Sequence, residues 1–150
     1  MIQNGSRENM FNNNTVYRNA ADGISVINVP DNIILNNYVY ENGGNGIRIR
    51  GCPRTTIVNN RLRNNSQAEH ERYDEIHVGG FEGNGSSQCM ITNNHITING
   101  RLRSRYAILE APERDGATQT ENMFANNKAY GAVRKDYRFD GRDSSILVNV

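Results

Sequence analysis

Apolar side chains recur along this chain at alternate positions, and the alternating runs themselves recur. Phe11, Asn13 and Val16 come back as Ile34, Asn36 and Val39, then as Ile57, Asn59 and Leu62, then as Ile91, Asn93 and Ile96. The first Asn of each copy falls at 13, 36, 59, 93, 126 and 149, giving steps of 23, 23, 34, 33 and 23 residues. A second alternating run follows in each copy: Gly23-Ile24-Ser25-Val26, Gly46-Ile47-Arg48-Ile49, Glu75-Ile76-His77-Val78, Tyr106-Ala107-Ile108-Leu109 and Asp136-Tyr137-Arg138-Phe139. A period of two predicts strands. The spacing lacks the two-residue turns of hairpins, so each strand is expected to pair with its equivalent one copy on. Parallel sheets built this way wind as a solenoid, with the extra residues of the third and fourth copies carried as loops.

The asparagines fit that arrangement. One ladder is read at 13, 36, 59, 93, 126 and 149, and a second at Asn19, Asn42, Asn65 and Asn99. Identical amides stacked at the strand spacing of about 4.8 Å hydrogen-bond along the stack. Asn also tolerates the left-handed bend of a coil corner. Tryptophan is absent. Cys52 and Cys89 form no disulfide framework and no metal signature, and both are read as small buried apolar residues. Seventeen basic and sixteen acidic residues nearly cancel, so bulk charge points neither to nucleic acid nor to a membrane surface. No apolar run is long enough for a signal peptide or a membrane span.

The copies of the form x-Ile-x-Asn-Asn-x-Val, together with Gly46-Ile47-Arg48-Ile49-Arg50-Gly51 and its equivalents, resemble the right-handed parallel β-helix (pectate-lyase-like) superfamily. That superfamily includes polysaccharide lyases, glycoside hydrolases, mannuronan epimerases and phage tail spikes. The resemblance implies an all-β, right-handed parallel β-helix of about five coils, with Asn ladders and with loop insertions in coils three and four. Residues 1–150 are expected to form one β-helix domain. Gly5 stands eight residues before Asn13 just as Gly141 stands eight before Asn149, and no amphipathic capping helix precedes the first coil. The ends are therefore expected to join further coils of a longer protein or to associate end to end. An extracellular, cell-surface or virion-surface location follows if the chain is part of a secreted or phage protein.

Chemistry must then come from the outward face and the loops. Along the second strand, one outward column is read as Ser25, Arg48, His77, Ile108 and Arg138, and a neighbouring one as Ile27, Arg50, Gly79, Glu110 and Asp140. Glu110 is placed outward because an unpaired buried carboxylate is costly. The insertions around Ser66–Tyr73, Phe81–Ser87, Arg101–Ser104 and Pro112–Thr118 flank this strand and would border a groove. His77, Arg48 and Glu110 are the candidate catalytic residues. Arg50, Tyr73, Tyr106, Arg103 and Phe81 are the candidate substrate contacts. Guanidinium forks suit carboxylated sugars. The function expected from the resemblance is binding or processing of a polysaccharide, uronate-containing in one version, by a lyase, epimerase or hydrolase reaction. No metal and no cofactor are assigned. No Asp-Asp hydrolase pair and no Asp-Pro-His epimerase motif occurs. The competing expectation is a non-catalytic adhesion or structural module.

Overall fold

A computed structural model describes residues 1–3, 5–110 and 117–147. The copy at Asn149 and the loop positions Pro112–Gly116 lie outside the described residues. Within them the chain makes three parallel sheets and no helix. The first sheet contains β1 (Ile2–Gln3), β4 (Ile24–Ile27), β7 (Ile47–Arg50), β10 (Ile76–Gly79), β13 (Tyr106–Glu110) and β16 (Lys135–Phe139). The second contains β2 (Met10–Asn12), β5 (Ile33–Leu35), β8 (Thr56–Val58), β11 (Met90–Thr92), β14 (Met123–Ala125) and β17 (Ser145–Leu147). The third contains β3 (Thr15–Tyr17), β6 (Tyr38–Tyr40), β9 (Arg61–Arg63), β12 (His95–Thr97) and β15 (Lys128–Tyr130). Every neighbour in a sheet is the strand one coil away, which makes a parallel β-helix, as expected.

The core is a set of columns. Ile34, Ile57, Ile91 and Phe124 stack in register in the second sheet, and Val39, Leu62, Ile96 and Ala129 in the third. All eight are buried, so each coil covers the apolar side chains of its neighbours. Cys52 and Cys89 are buried among them, and burial pushes the Cys89 thiol up to about 12.

The main Asn ladder runs one residue later than expected. Asn13, Asn36, Asn59, Asn93 and Asn126 take left-handed φ values between 54° and 58° and form the coil corner with their side chains outward. The following residues, Asn14, Asn37, Asn60, Asn94 and Asn127, make the ladder. Each Nδ2 donates to the next Oδ1 at 3.0–3.1 Å. From Asn37 onward, each Nδ2 also donates to a main-chain carbonyl of the preceding coil. A pair of asparagines repeats with one period whichever member turns inward, so spacing alone could not choose between them. The second ladder holds for Asn19, Asn42 and Asn65, but Asn65 then donates to the Glu75 carboxylate instead of Asn99. Asn99 pairs with Asn64 at the surface.

Coil four also differs. Ile76 pairs with Ile108 and His77 with Leu109, so the expected outward positions of Ile108 and Glu110 are overturned. Leu109 takes the place beside His77, and Glu110 points inside with no exposed surface. Its carboxylate is not unpaired there. Asn122 Nδ2 and Ser144 Oγ each donate at 2.7 Å, and the Gly141 main-chain N–H at 3.1 Å. These donors remove the cost that had argued for exposure.

Candidate functional site

The outward face of the first sheet carries a cleft of ≈ 240 Å³. Strand β7 supplies Arg48 and Arg50, and β10 supplies His77 from the next coil. The inserted loop before β10 brings Arg72, Tyr73 and Asp74, and the turn before β13 brings Arg105. Register explains the convergence: His77 lies beside Arg48 across the sheet, although 29 positions separate them in sequence. The two loops hold each other, with Arg105 N donating to Tyr73 O at 2.8 Å and Glu71 N to Arg103 O at 3.0 Å. Gly46 lets the start of the next coil's strand pack closely on β7, since a Cβ there would meet the Glu75 carbonyl oxygen at 2.6 Å and Asn65 Nδ2 at 2.7 Å.

Asp74 is the centre of the arrangement. Its side chain has no exposed surface. Oδ1 accepts from Arg105 Nε at 3.1 Å, and Oδ2 accepts from Arg105 Nη2 at 2.8 Å. The same Oδ2 lies 2.9 Å from His77 Nδ1. A carboxylate on Nδ1 sets that nitrogen as the N–H and leaves the acceptor lone pair of the neutral ring on Nε2. The main-chain N–H of Asp74 donates to Asn45 Oδ1 at 2.9 Å, and Asn45 Nδ2 donates to Asp22 Oδ1 at 2.9 Å. Asp22 Oδ2 lies 3.0 Å from Arg48 Nε, a charge contact that is not aligned as a hydrogen bond. One chain of contacts thus places both His77 and Arg48.

Four guanidiniums and one imidazole face the cleft, and three carboxylates engage them: Asp74 holds Arg105 and His77, Asp22 lies against Arg48, and Glu69 pairs with Arg72. Arg105 is held above its ordinary pKa by its hydrogen bonds to Asp74, so it stays charged. Arg50 Nε donates to Gly80 O at 3.0 Å, with its guanidinium 5.1 Å above the Phe81 ring. Arg72 lies over Tyr73 at 5.4 Å. The cleft is suited to an anionic group with hydroxyls around it.

Of the residues expected from sequence, His77, Arg48, Arg50 and Tyr73 meet in this cleft. Phe81 supports Arg50 from a small bridge between Phe81 and Asn84. Tyr106 is nearly covered and lines a separate hollow with Arg138, whose Nη1 donates to its hydroxyl at 3.3 Å. That hydrogen bond lowers the Tyr106 pKa from its ordinary value. Arg103 is exposed and engaged through its main chain with His70, away from the cleft lining. Glu110 is inside the coil and cannot form the floor. Asp74, Arg105, Asn45 and Arg72 were not among the expected site residues. The signal for Asp74 was its place three residues before His77, just past the end of the Ser66–Tyr73 insertion. Among the described residues, no group of three or more His, Cys, Asp or Glu side chains could hold a metal ion.

The chain matches the family model described as "right handed beta helix region" over residues 1–138. Among solved structures it is similar to the A-module of Azotobacter vinelandii mannuronan C-5 epimerase AlgE6, with a TM-score of 0.77 and 17% identity, covering 99% of this chain and 41% of that one. It is also similar to the A-module of the Azotobacter vinelandii epimerase AlgE4, with a TM-score of 0.73 and 20% identity, covering 91% of this chain and 37% of that one. The chain therefore spans less than half the length of either. No curated protein matches it.

Proposed function

We propose, from the premise that the chain belongs to the right-handed β-helix family, that it binds and processes a uronate-containing polysaccharide in the Arg48–His77–Arg105 cleft. The observation that carries this reading is the buried Asp74 carboxylate orienting His77 among four arginines. The reaction it favours starts with removal of the C5 proton of a uronate, which is α to the carboxylate. Arg48 or Arg50 holds that carboxylate and stabilises the charge that develops on it. His77 Nε2 accepts the proton while Asp74 stabilises the imidazolium that forms. Tyr73, in the cleft, replaces Tyr106 as the hydroxyl available to the sugar. Return of a proton from the Tyr73 hydroxyl to the opposite face of C5 gives the epimer. Departure of the C4 oxygen, which takes the proton from Tyr73 or from the His77 imidazolium, gives an unsaturated sugar.

Hydrolysis is less well supported. It calls for two carboxyl groups flanking the glycosidic bond, whereas Glu110 faces inward and Asp74 is enclosed by Arg105 and His77. The two similar structures are named for epimerisation at C5 of mannuronan, a polyuronate, which agrees with proton abstraction at that carbon.

The test is incubation of the chain with mannuronan and with polygalacturonate in D₂O. The expected result is either inverted residues carrying deuterium at C5, read by NMR, or unsaturated ends, which keep no hydrogen at C5. Binding of either polymer without exchange would support the non-catalytic module. No exchange and no binding would overturn the reading.

A further inference from the structure

The third sheet presents a different face to solvent, and it is built as a comb of anion-binding groups. Tyr17 and Tyr40, one coil apart, stack with ring centroids 5.0 Å apart and planes 2° from parallel. The Arg63 guanidinium continues the stack, 5.3 Å from the Tyr40 centroid. Beside it, Arg61 lies 5.8 Å from the Tyr38 centroid, and Tyr38 and Tyr40 are 4.5 Å apart. His95 and then Lys128 extend the Arg61 column into coils four and five. A concavity of ≈ 130 Å³ opens between Tyr38, Arg61, Arg63 and His95.

A guanidinium lying on a ring keeps its plane fixed and its N–H edge outward, which preorganises bidentate binding of a carboxylate. Rotamer entropy that a free Arg loses on binding has already been lost here. Glu41 takes up part of the charge, through Arg18 at 3.0 Å and Arg63 at 3.1 Å. Among the described residues, Arg61, His95 and Lys128 carry no ion pair. These three follow one another at the coil spacing of about 4.8 Å, a length comparable to one sugar residue of an extended chain.

We propose that this face is a second docking site, remote from the cleft, for an acidic polysaccharide strand running along the solenoid axis. The identity of the polymer rests on the functional reading above. Nucleic acid is disfavoured by two features: the faces of Tyr38 and Tyr40 are turned onto other rings and guanidiniums, so they offer little room for base stacking, and Glu41 lies within the row. Tyrosine hydroxyls interleaved with arginines match the alternating hydroxyls and carboxylates of a polyuronate.

The test compares the whole chain with R61Q/R63Q, which removes both charges and keeps a planar polar group on each stem, and with R50A in the cleft. Affinity for long mannuronan and for a mannuronate trisaccharide is measured by affinity electrophoresis and calorimetry, alongside binding of single-stranded DNA. The expected result is that R61Q/R63Q weakens polymer binding by about tenfold or more and leaves trisaccharide binding unchanged, with an unchanged circular dichroism spectrum. R50A is expected to weaken both. If R50A has no effect while R61Q/R63Q still weakens polymer binding, the cleft reading fails and the docking face stands. Equal polymer affinity in wild type and R61Q/R63Q overturns the docking face. Loss of DNA binding without loss of polymer binding in R61Q/R63Q also overturns it, and so does the absence of any mannuronan binding by the wild type.

Discussion

Asp74 and His77 face each other across 2.9 Å, with the acceptor oxygen Oδ2 buried and shared with Arg105 at 2.8 Å. The carboxylate therefore serves two cations or one cation and one N–H, depending on the state of the imidazole. Asp74→Asn keeps the shape and removes the charge. On mannuronan it is expected to lower turnover by on the order of a hundredfold, the scale of a misoriented general base. Steady-state kinetics check this, with the melting temperature as the control for folding.

Arg48→Ala and His77→Ala should each weaken oligosaccharide binding or turnover while leaving the β-rich circular dichroism spectrum intact. Each change also takes a partner from a carboxylate with little or no exposure, Asp22 for Arg48 and Asp74 for His77, so a stability loss of about 1–3 kcal/mol is expected beside the loss of binding, and the melting temperature separates the two. Arg138→Ala should have the smaller effect, because Arg138 lies in the separate hollow with Tyr106 and Asp140. Calorimetric titration of the three variants ranks them.

Glu75 is inside the coil, where it accepts hydrogen bonds from Asn65 and from Ser104 Oγ. Burial pushes its pKa up to about 7 from an ordinary 4.5. The folded chain thus keeps a proton that the unfolded chain loses. The resulting stabilisation is whole below about pH 4.5, declines as pH rises to about 7, and is constant above that. The full excursion is about 3 kcal/mol. Urea denaturation across this range should show the decline, and Glu75→Gln should flatten it.

The corrected ladder makes Asn60 and Asn59 a direct comparison. Asn60→Leu would remove the acceptor of both the Asn37 main-chain and side-chain N–H groups and the donor to Asn94 Oδ1, at a cost of about 3 kcal/mol. Asn59→Leu would place a bulkier residue at a left-handed φ of 56° on the surface, costing about 1 kcal/mol. Melting temperatures decide it, and equal losses would contradict the inward assignment of Asn60.

Cys52 and Cys89 should not react with an aromatic disulfide reagent in the folded chain, since burial raises both thiol pKa values. Both should titrate after unfolding in guanidinium.

The coil, its period and its strand positions were legible because every copy repeats the same apolar alternation, and Ile47 pairs with Ile76 despite the insertion between them. The meeting of Arg48 with His77 followed from that register. Three features were not legible, each for the same kind of reason. Which Asn of a pair turns inward depends on the corner dihedral. Whether Glu110 can be buried depends on Asn122, Gly141 and Ser144, all contributed after its own strand. Asp74 reads as a loop residue until Arg105, on the next coil, is seen to grip it. Periodicity reports where a residue lies in the coil and is silent about partners from loops of unequal length.

The buried amide ladders all run one way, each Nδ2 toward the Oδ1 of the following coil. Their side-chain dipoles therefore add along the solenoid axis instead of cancelling, and neighbouring amides polarise one another. The row Asn19–Asn42–Asn65 ends with its positive pole on the Glu75 carboxylate, and Asn122 directs its Nδ2 at Glu110. The interior of this β-helix thus possesses an electrical polarity, made from side chains and comparable in kind to that of an α-helix, and the Asn19–Asn42–Asn65 row closes its donor end on the Glu75 carboxyl group, an anion once pH exceeds about 7.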